Sequence, residues 1–369
     1  MGGSHTMQDL HTTKGGKSVV FRGDGEPRTI QTFLGNLNDF SATQTLEDDN
    51  FSIGGLVEQL EQTIARILKK PAAIFMPTGT LANHLAIRKH ATPYGRVAVQ
   101  EQSHLYNDTG DSLARLSGIN LVPLGKEKPS FSLEELRKAY ETSTTGRVFN
   151  PISVVSIETP VRRQHGQTVP WQELQILTEF CREHNLPVHL DGARIFMQAA
   201  VEGQTVHQYA QLFDSVYISL YKYFGAPFGG VLAGESSFID GLYHDRRMFG
   251  SGLAHSSMIA ALALHGINEF EPTFHAAIEK AHLLFADLNA LAHLNVDAFE
   301  HGSNIFTLTV SEDLNLEKIA QHLKAIDIFI YPEPGTQIAY LHINSTILRQ
   351  TNVEITKAFI DAIELSFVP

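Results

Sequence analysis

The 369-residue sequence holds one cysteine, Cys181, which excludes an intramolecular disulfide. No apolar core of a secretion signal occurs between Met1 and Lys17, so a reducing, cytoplasmic setting is expected. Basic residues are also few: 28 Lys and Arg stand against 40 Asp and Glu, for a formal net charge of −12. That balance excludes a general nucleic-acid footprint but leaves room for a local site that takes a small anion. No apolar run is long enough to span a bilayer, and with 43% hydrophobic and 18% charged residues the chain reads as soluble and globular, with no membrane partner. Internal repeats, low-complexity tracts and Pro/Gly-rich linkers are missing too. The length instead predicts two cores, one large and one small.

Within those limits the pattern is regular. Leu56, Leu60, Ile64, Ile67 and Leu68 recur at helical spacing, and Lys70-Pro71 ends that helix. Short apolar runs at 73–76, 97–99, 154–157, 188–190 and 216–219 read as buried strands. Helical patterns at 80–90, 132–141 and 171–184 lie among them, the second opened by a Ser132/Glu135 capping box. This alternation predicts an α/β fold whose mainly parallel sheet gathers ligands at the carboxyl ends of its strands. After Gly250-Ser251-Gly252 the pattern changes to two long helices, 253–270 and 274–291, then strands at 305–310 and 338–343 with helices at 316–326 and 353–365. The expected organisation is an N-terminal tail over 1–22, a large domain over 23–250 and a small C-terminal α/β domain over 251–369.

Three segments at strand ends carry chemistry. Met76-Pro77-Thr78-Gly79-Thr80 joins a strand to a helix, and the open amides of Gly79 and Thr80 suit a phosphate, although a threonine there also serves as a plain helix cap. Asp191, followed by Gly192-Ala193-Arg194, is placed either to hold a pyridine nitrogen protonated or to cap a turn beside a salt-bridged arginine. Lys222 is set among Tyr221, Tyr223, Phe224 and a Gly-Ala-Pro-Phe-Gly-Gly run. Desolvation lowers a lysine's pKa and exposes a neutral amine for attack on an aldehyde; the alternative is a lysine that merely snorkels to the surface. His104 follows the strand at 97–99 and suits stacking on a planar ring, or an ordinary structural role.

Taken in order, "DDNFSIGGLVEQLE", "AAIFMPTGTLAN", "VHLDGARI", "YISLYKYFGAPFGG" and "RRMFGSGL" resemble the threonine aldolase / β-eliminating lyase family of fold-type I pyridoxal-5'-phosphate (PLP) enzymes, from about Arg22 onward. The resemblance implies a large domain with a mainly parallel seven-stranded sheet and a smaller C-terminal domain. By position it implies Lys222 as the Schiff-base lysine, Asp191 on the pyridine nitrogen, and Arg194 on the ring's phenolic oxygen or the substrate carboxylate. It further implies His104 stacked on the ring, Gly79 and Thr80 on the phosphate, and Arg246, ahead of Arg247, reaching a neighbouring subunit's phosphate. A homodimer or homotetramer with active sites at its interface follows, with a small amino acid as substrate and no metal.

The chain departs from the family at several positions. Val161 stands where a histidine is usual in "ENTHN", Phe51 replaces a tyrosine, Gly23 a serine, and Gln337 the late-strand arginine that binds carboxylate. Arg162 and Arg163 are added charges, and Arg162 is a candidate for the carboxylate role. The expected reaction is cleavage of a β-hydroxy-α-amino acid into glycine and an aldehyde, with His104 or a water on it as base. β-Elimination, transamination or racemisation on the same cofactor is the alternative, and a binding protein that lost catalysis is a third reading.

Overall fold

The computed structural model describes residues 16–26 and 28–368. Residues 1–15 of the expected tail lie outside the described residues. The tail ends sooner than residue 22: Val19–Val20 (β1) is buried and pairs in parallel with Ile328–Phe329 (β11), because two valines and Phe21 have apolar area to hide.

The chain forms two compact units, one of residues 37–267 and one combining the described residues up to Asn36 with those from Asn268 onward. This division differs from the boundaries expected at 22 and 250. The stretch after Gly250 is tied into the large unit: Asp49 accepts hydrogen bonds from the backbone N–H groups of Ser256 and Ser257, each at 2.7 Å. The two helices expected on either side of Pro272 are one helix, Ser257–Asn289, which passes through the division. Proline removes one N–H donor but does not force a stop where the turns around it carry the remaining bonds.

The large unit is built on a seven-stranded sheet. In chain order its strands are Ala72–Met76 (β2), Arg96–Gln100 (β3), Leu121–Leu124 (β4), Ile152–Glu158 (β5), Val188–Asp191 (β6), Ser215–Ser219 (β7) and Gly230–Gly234 (β8). The spatial order is β2-β8-β7-β6-β5-β3-β4, and only β8 runs against its neighbours. The expected mainly parallel α/β sheet is therefore present. β5 through β8 are buried along their whole length, which is why β5, β6 and β7 read as apolar runs rather than alternating ones. Helices expected from periodicity appear at Gly55–Leu68, Gly79–His90, Leu133–Thr145 and Trp171–Glu183, and the Ser132/Glu135 capping box forms.

The smaller unit has an antiparallel sheet of Leu294–Ala298 (β9), Ile305–Val310 (β10) and Ile338–His342 (β12), in the order β12-β10-β9. The helices Leu316–Ala325 and Asn352–Glu364 belong to it. Among the described residues no helix is long and apolar enough to cross a membrane. Cys181 is fully buried, and burial pushes its thiol up to about 12, so it is inert at neutral pH.

Candidate active site

Five strands of the large unit deliver their carboxyl ends to one cavity of about 330 Å³. β2 leads into Pro77, Thr78, Gly79 and Thr80; β3 leads to His104; β5 ends at Glu158 and β6 at Asp191; β7 leads to Tyr221 and Lys222. Arg162, Arg194 and Tyr217 complete its polar lining. Parallel strands pointed one way put every following loop on the same edge, which is how residues 78 and 222 share a wall.

At the β2 end, Thr78 caps the helix Gly79–His90, its Oγ1 accepting from Leu81 N at 3.1 Å. The capping alternative is thus true of Thr78, and it leaves the first-turn amides of Gly79 and Thr80 facing an anion site. Gly79 has to be glycine: a Cβ there would sit 2.4 Å from the Tyr217 hydroxyl. That hydroxyl is buried and finds no partner within hydrogen-bond geometry among the described residues, and burial with the nearby Asp191 carboxylate pushes its pKa far up. A glycine cradle, an unpaired hydroxyl and open helix amides fit a phosphorylated, ring-bearing cofactor of the PLP kind.

Asp191 is 4% exposed; its Oδ2 accepts from Asn83 Nδ2 at 2.5 Å and its Oδ1 from Ala193 N at 3.2 Å. Lys222 is half-buried, with Nζ 5.5 Å from the centre of the Tyr221 ring. His104 opens a short helix, and its Nδ1 lies 3.3 Å from Asp108 Oδ2. Asp108 also pairs with Arg163 at 3.0 Å. Arg162 is exposed at the cavity, and its guanidinium makes no ion pair or hydrogen bond among the described residues.

Sequence reasoning missed Glu158. It is 3% exposed, and it accepts from His104 N at 2.5 Å and from Arg162 N at 3.0 Å, so one carboxyl fixes the backbone of two cavity residues. Burial, then repulsion from Asp191 on the adjacent strand, raises its pKa. Its only signal in the sequence was a carboxylate at the end of a strand.

Arg246 and Val161 are not among the residues that line the cavity. Arg246 is 1% exposed and turned inward: its guanidinium donates to Phe75 O and, at 3.4 Å, to Ser52 O. β2 is an edge strand, so the Phe75 peptide lacks a second strand to bond; Arg246 takes its C=O, and Glu61 takes its N–H at 2.7 Å. Within this chain Arg246 is thus turned inward, while the resemblance implies a reach toward another subunit. Arg247 is the exposed member of the pair, stacked over Phe51 at 5.0 Å. The Gln337 amide donates to Ser311 O at 2.9 Å and Leu314 O at 2.7 Å, which commits both its protons within the smaller unit. Val161 is fully buried and does not line the cavity.

The Glu61 contact has a pH consequence. Burial raises the Glu61 carboxyl to about 7, against the lowering effect of the Phe75 N–H and of Arg246. Between its ordinary value and about 7 the unfolded chain ionises while the folded chain holds the proton, so folding stability is full below that window and falls as pH rises through it. The urea midpoint is expected to drop across pH 4.5 to 7 and to flatten in Glu61→Gln; an unchanged profile in that variant would refute the assignment.

The beta-eliminating lyase family model matches residues 34–311. The low specificity L-threonine aldolase of Saccharomyces cerevisiae is 36% identical over 57% of this chain and 54% of its own length. That of Eremothecium gossypii is 32% identical over 67% of this chain and 63% of its own. This chain thus spans less than two thirds of either relative. A structure of Leishmania major threonine aldolase superposes with a TM-score of 0.73 at 20% identity, covering 94% of this chain and 99% of that one, which establishes the shared fold.

Proposed function

Because the chain belongs to the beta-eliminating lyase family, we propose that it is a PLP-dependent carbon–carbon lyase that cleaves a threonine-like or allo-threonine-like β-hydroxy-α-amino acid into glycine and an aldehyde. The observation that carries this reading is the convergence of Lys222, Asp191, Arg194, His104 and the Gly79–Thr80 helix end on one cavity. When bound, PLP supplies an electron sink for the pair left as a bond to the substrate's α-carbon breaks.

The protein's residues do the rest. Lys222 would provide the amine that anchors the cofactor's carbonyl carbon and a proton carrier at the α-carbon. The Gly79 and Thr80 amides would hold the phosphate, Asp191 would accept the ring N–H, and Arg194 would meet the phenolic oxygen or the substrate carboxylate. Arg162, with its guanidinium unengaged, is the better placed carboxylate clamp, since a planar fork matches that group bidentately. His104, at the cavity, would lie against the ring. In its neutral form the Asp108 contact places the proton on Nδ1, which leaves Nε2 as the acceptor for the β-hydroxyl proton. Loss of that proton turns the hydroxyl into the aldehyde carbonyl as the α–β bond breaks, and the α-carbon takes a proton to become glycine.

β-Elimination on the same cofactor is the second reading, favoured by Val161 at the position of a family histidine, buried and not among the cavity-lining residues. Incubation with allo-threonine and with β-chloroalanine separates them. Acetaldehyde from the first compound is expected; pyruvate from the second, with no acetaldehyde from the first, would overturn the aldolase reading.

The chain is also read as a cytoplasmic homo-oligomer with its sites near a subunit interface. The buried, unpaired Cys181 and the exposed apolar side chains Phe51, Ile53 and Met248, at 41%, 52% and 63%, support this. Sedimentation equilibrium is expected to give at least twice the 40.8 kDa chain mass, and a purely monomeric profile would count against it.

A further inference from the structure

Behind Asp191 runs a line of buried polar side chains that the reaction does not use. Asn83 is 1% exposed, His189 and Ser215 are fully buried, and His90 closes the line at the end of the helix Gly79–His90. The distances are 2.5 Å from Asn83 Nδ2 to Asp191 Oδ2, 2.9 Å from Asn83 Oδ1 to His189 Nε2, 2.8 Å from His189 Nδ1 to Ser215 Oγ, and 2.9 Å from Ser215 Oγ to His90 Nε2. The fold explains the alignment: Asn83 and His90 are seven residues apart on one helix face, and His189 and Ser215 are register partners on β6 and β7.

The direction of every bond follows from the carboxylate. An amide oxygen set against Asp191 would bring two acceptors together, so the Asn83 NH2 faces Asp191 and its oxygen faces His189. His189 therefore carries its proton on Nε2 and accepts at Nδ1 from the Ser215 hydroxyl, whose oxygen in turn accepts from His90 Nε2–H. Both rings stay neutral: burial, with the neighbouring His90, takes His189 down to about 3, and burial takes His90 down to about 4. All four donors point toward Asp191. Burying these groups costs more than burying an apolar quartet of similar shape would, and their hydrogen bonds, all directed one way, end on a carboxylate.

We propose that Asn83 and His189 are positioning residues that fix the Asp191 carboxylate in orientation and in its acceptor role, with Ser215 and His90 holding the His189 tautomer. This rests on the PLP reading above, since Asp191 needs a ring N–H to receive. The residues act only through Asp191 and touch no reacting atom.

The test uses the full chain titrated with PLP, reading the cofactor dissociation constant and the pH midpoint of the visible band. Asn83→Leu and His189→Leu are expected to raise the dissociation constant about 10- to 100-fold, the range for losing a hydrogen bond to a charged group, and to move the midpoint. His189→Gln, which keeps an N–H near Nε2, is expected to recover most of the loss. Ser215→Ala removes one hydroxyl and is expected to move the midpoint the same way by less, which decides the matter if the leucine variants fail to fold. A lower melting temperature with unchanged PLP affinity and midpoint would mean a merely structural line and would overturn the proposal. If the unaltered protein shows no visible band with PLP, the cofactor reading itself falls, and this inference with it.

Discussion

Replacing Lys222 with alanine is expected to abolish the visible band that forms on adding PLP and to lower aldehyde release by about 10²- to 10⁴-fold, the range for removing a positioned proton carrier, with the covalent anchor lost as well. Lys222 is the one amine among the residues that line the cavity, so no neighbour substitutes for it. It follows β7 in a loop and is half-buried, so its loss leaves the core intact and the melting temperature of the cofactor-free protein should hold. Absorbance, aldehyde release and thermal melting of the same preparation check this. A Lys222→Ala protein that keeps both the band and the activity would remove the foundation of the site.

Asp191→Asn is expected to keep the shape of the cavity and lose the charge. Removing one partner of a buried ion pair costs about 3–5 kcal/mol, which corresponds to about 10²- to 10⁴-fold in aldehyde release. The variant also disturbs the wall behind it. Asn83 now faces an amide instead of a carboxylate, and one of the two must turn to keep a donor against an acceptor. Asp191→Glu keeps the charge but lengthens the side chain on the buried end of β6, and partial recovery is expected from it. Rates for both variants measured at saturating PLP separate weaker binding from slower chemistry. Equal activity of Asp191→Asn and the unaltered protein would show that no charge is needed there.

Much of the large unit was legible because its strands are buried on both faces, which leaves uninterrupted apolar runs bounded by turn residues. The exceptions have particular causes. β8, Gly230-Val-Leu-Ala-Gly234, has little β-branched character and reads as part of a glycine-rich loop; it is a strand because β2 and β7 enclose it. β4 carries Pro123 and sits at the sheet edge, where a proline is tolerated. Helix Ser257–Asn289 runs through Pro272, against the local signal.

Side-chain direction was harder to read. Arg246 and Arg247 are neighbours on one short helix, about 100° apart around its axis, so one faces in and the other out, and nothing in the string "RRMFG" says which. The edge peptide of Phe75 decided it. Glu158, Asn83, His189 and Ser215 were each an ordinary polar residue within a helix or strand until the fold set them beside Asp191 and His104.

By itself the sequence determined the alternation of strands and helices, the end of each strand where chemistry collects, and the spacing of Gly79, Asp191, Arg194 and Lys222 that marks a cofactor site. These are local properties, set by periodicity and by which residue follows which. Only the tertiary structure decided that Arg246 donates to an edge strand, that Gln337 bonds within its own unit, that the Arg162 guanidinium at the cavity is unengaged among the described residues, and that a directed line of hydrogen bonds ends on Asp191. Those are matters of which donor meets which acceptor across distances of up to 194 positions along the chain, and a buried polar group takes whichever partner the packing brings to it.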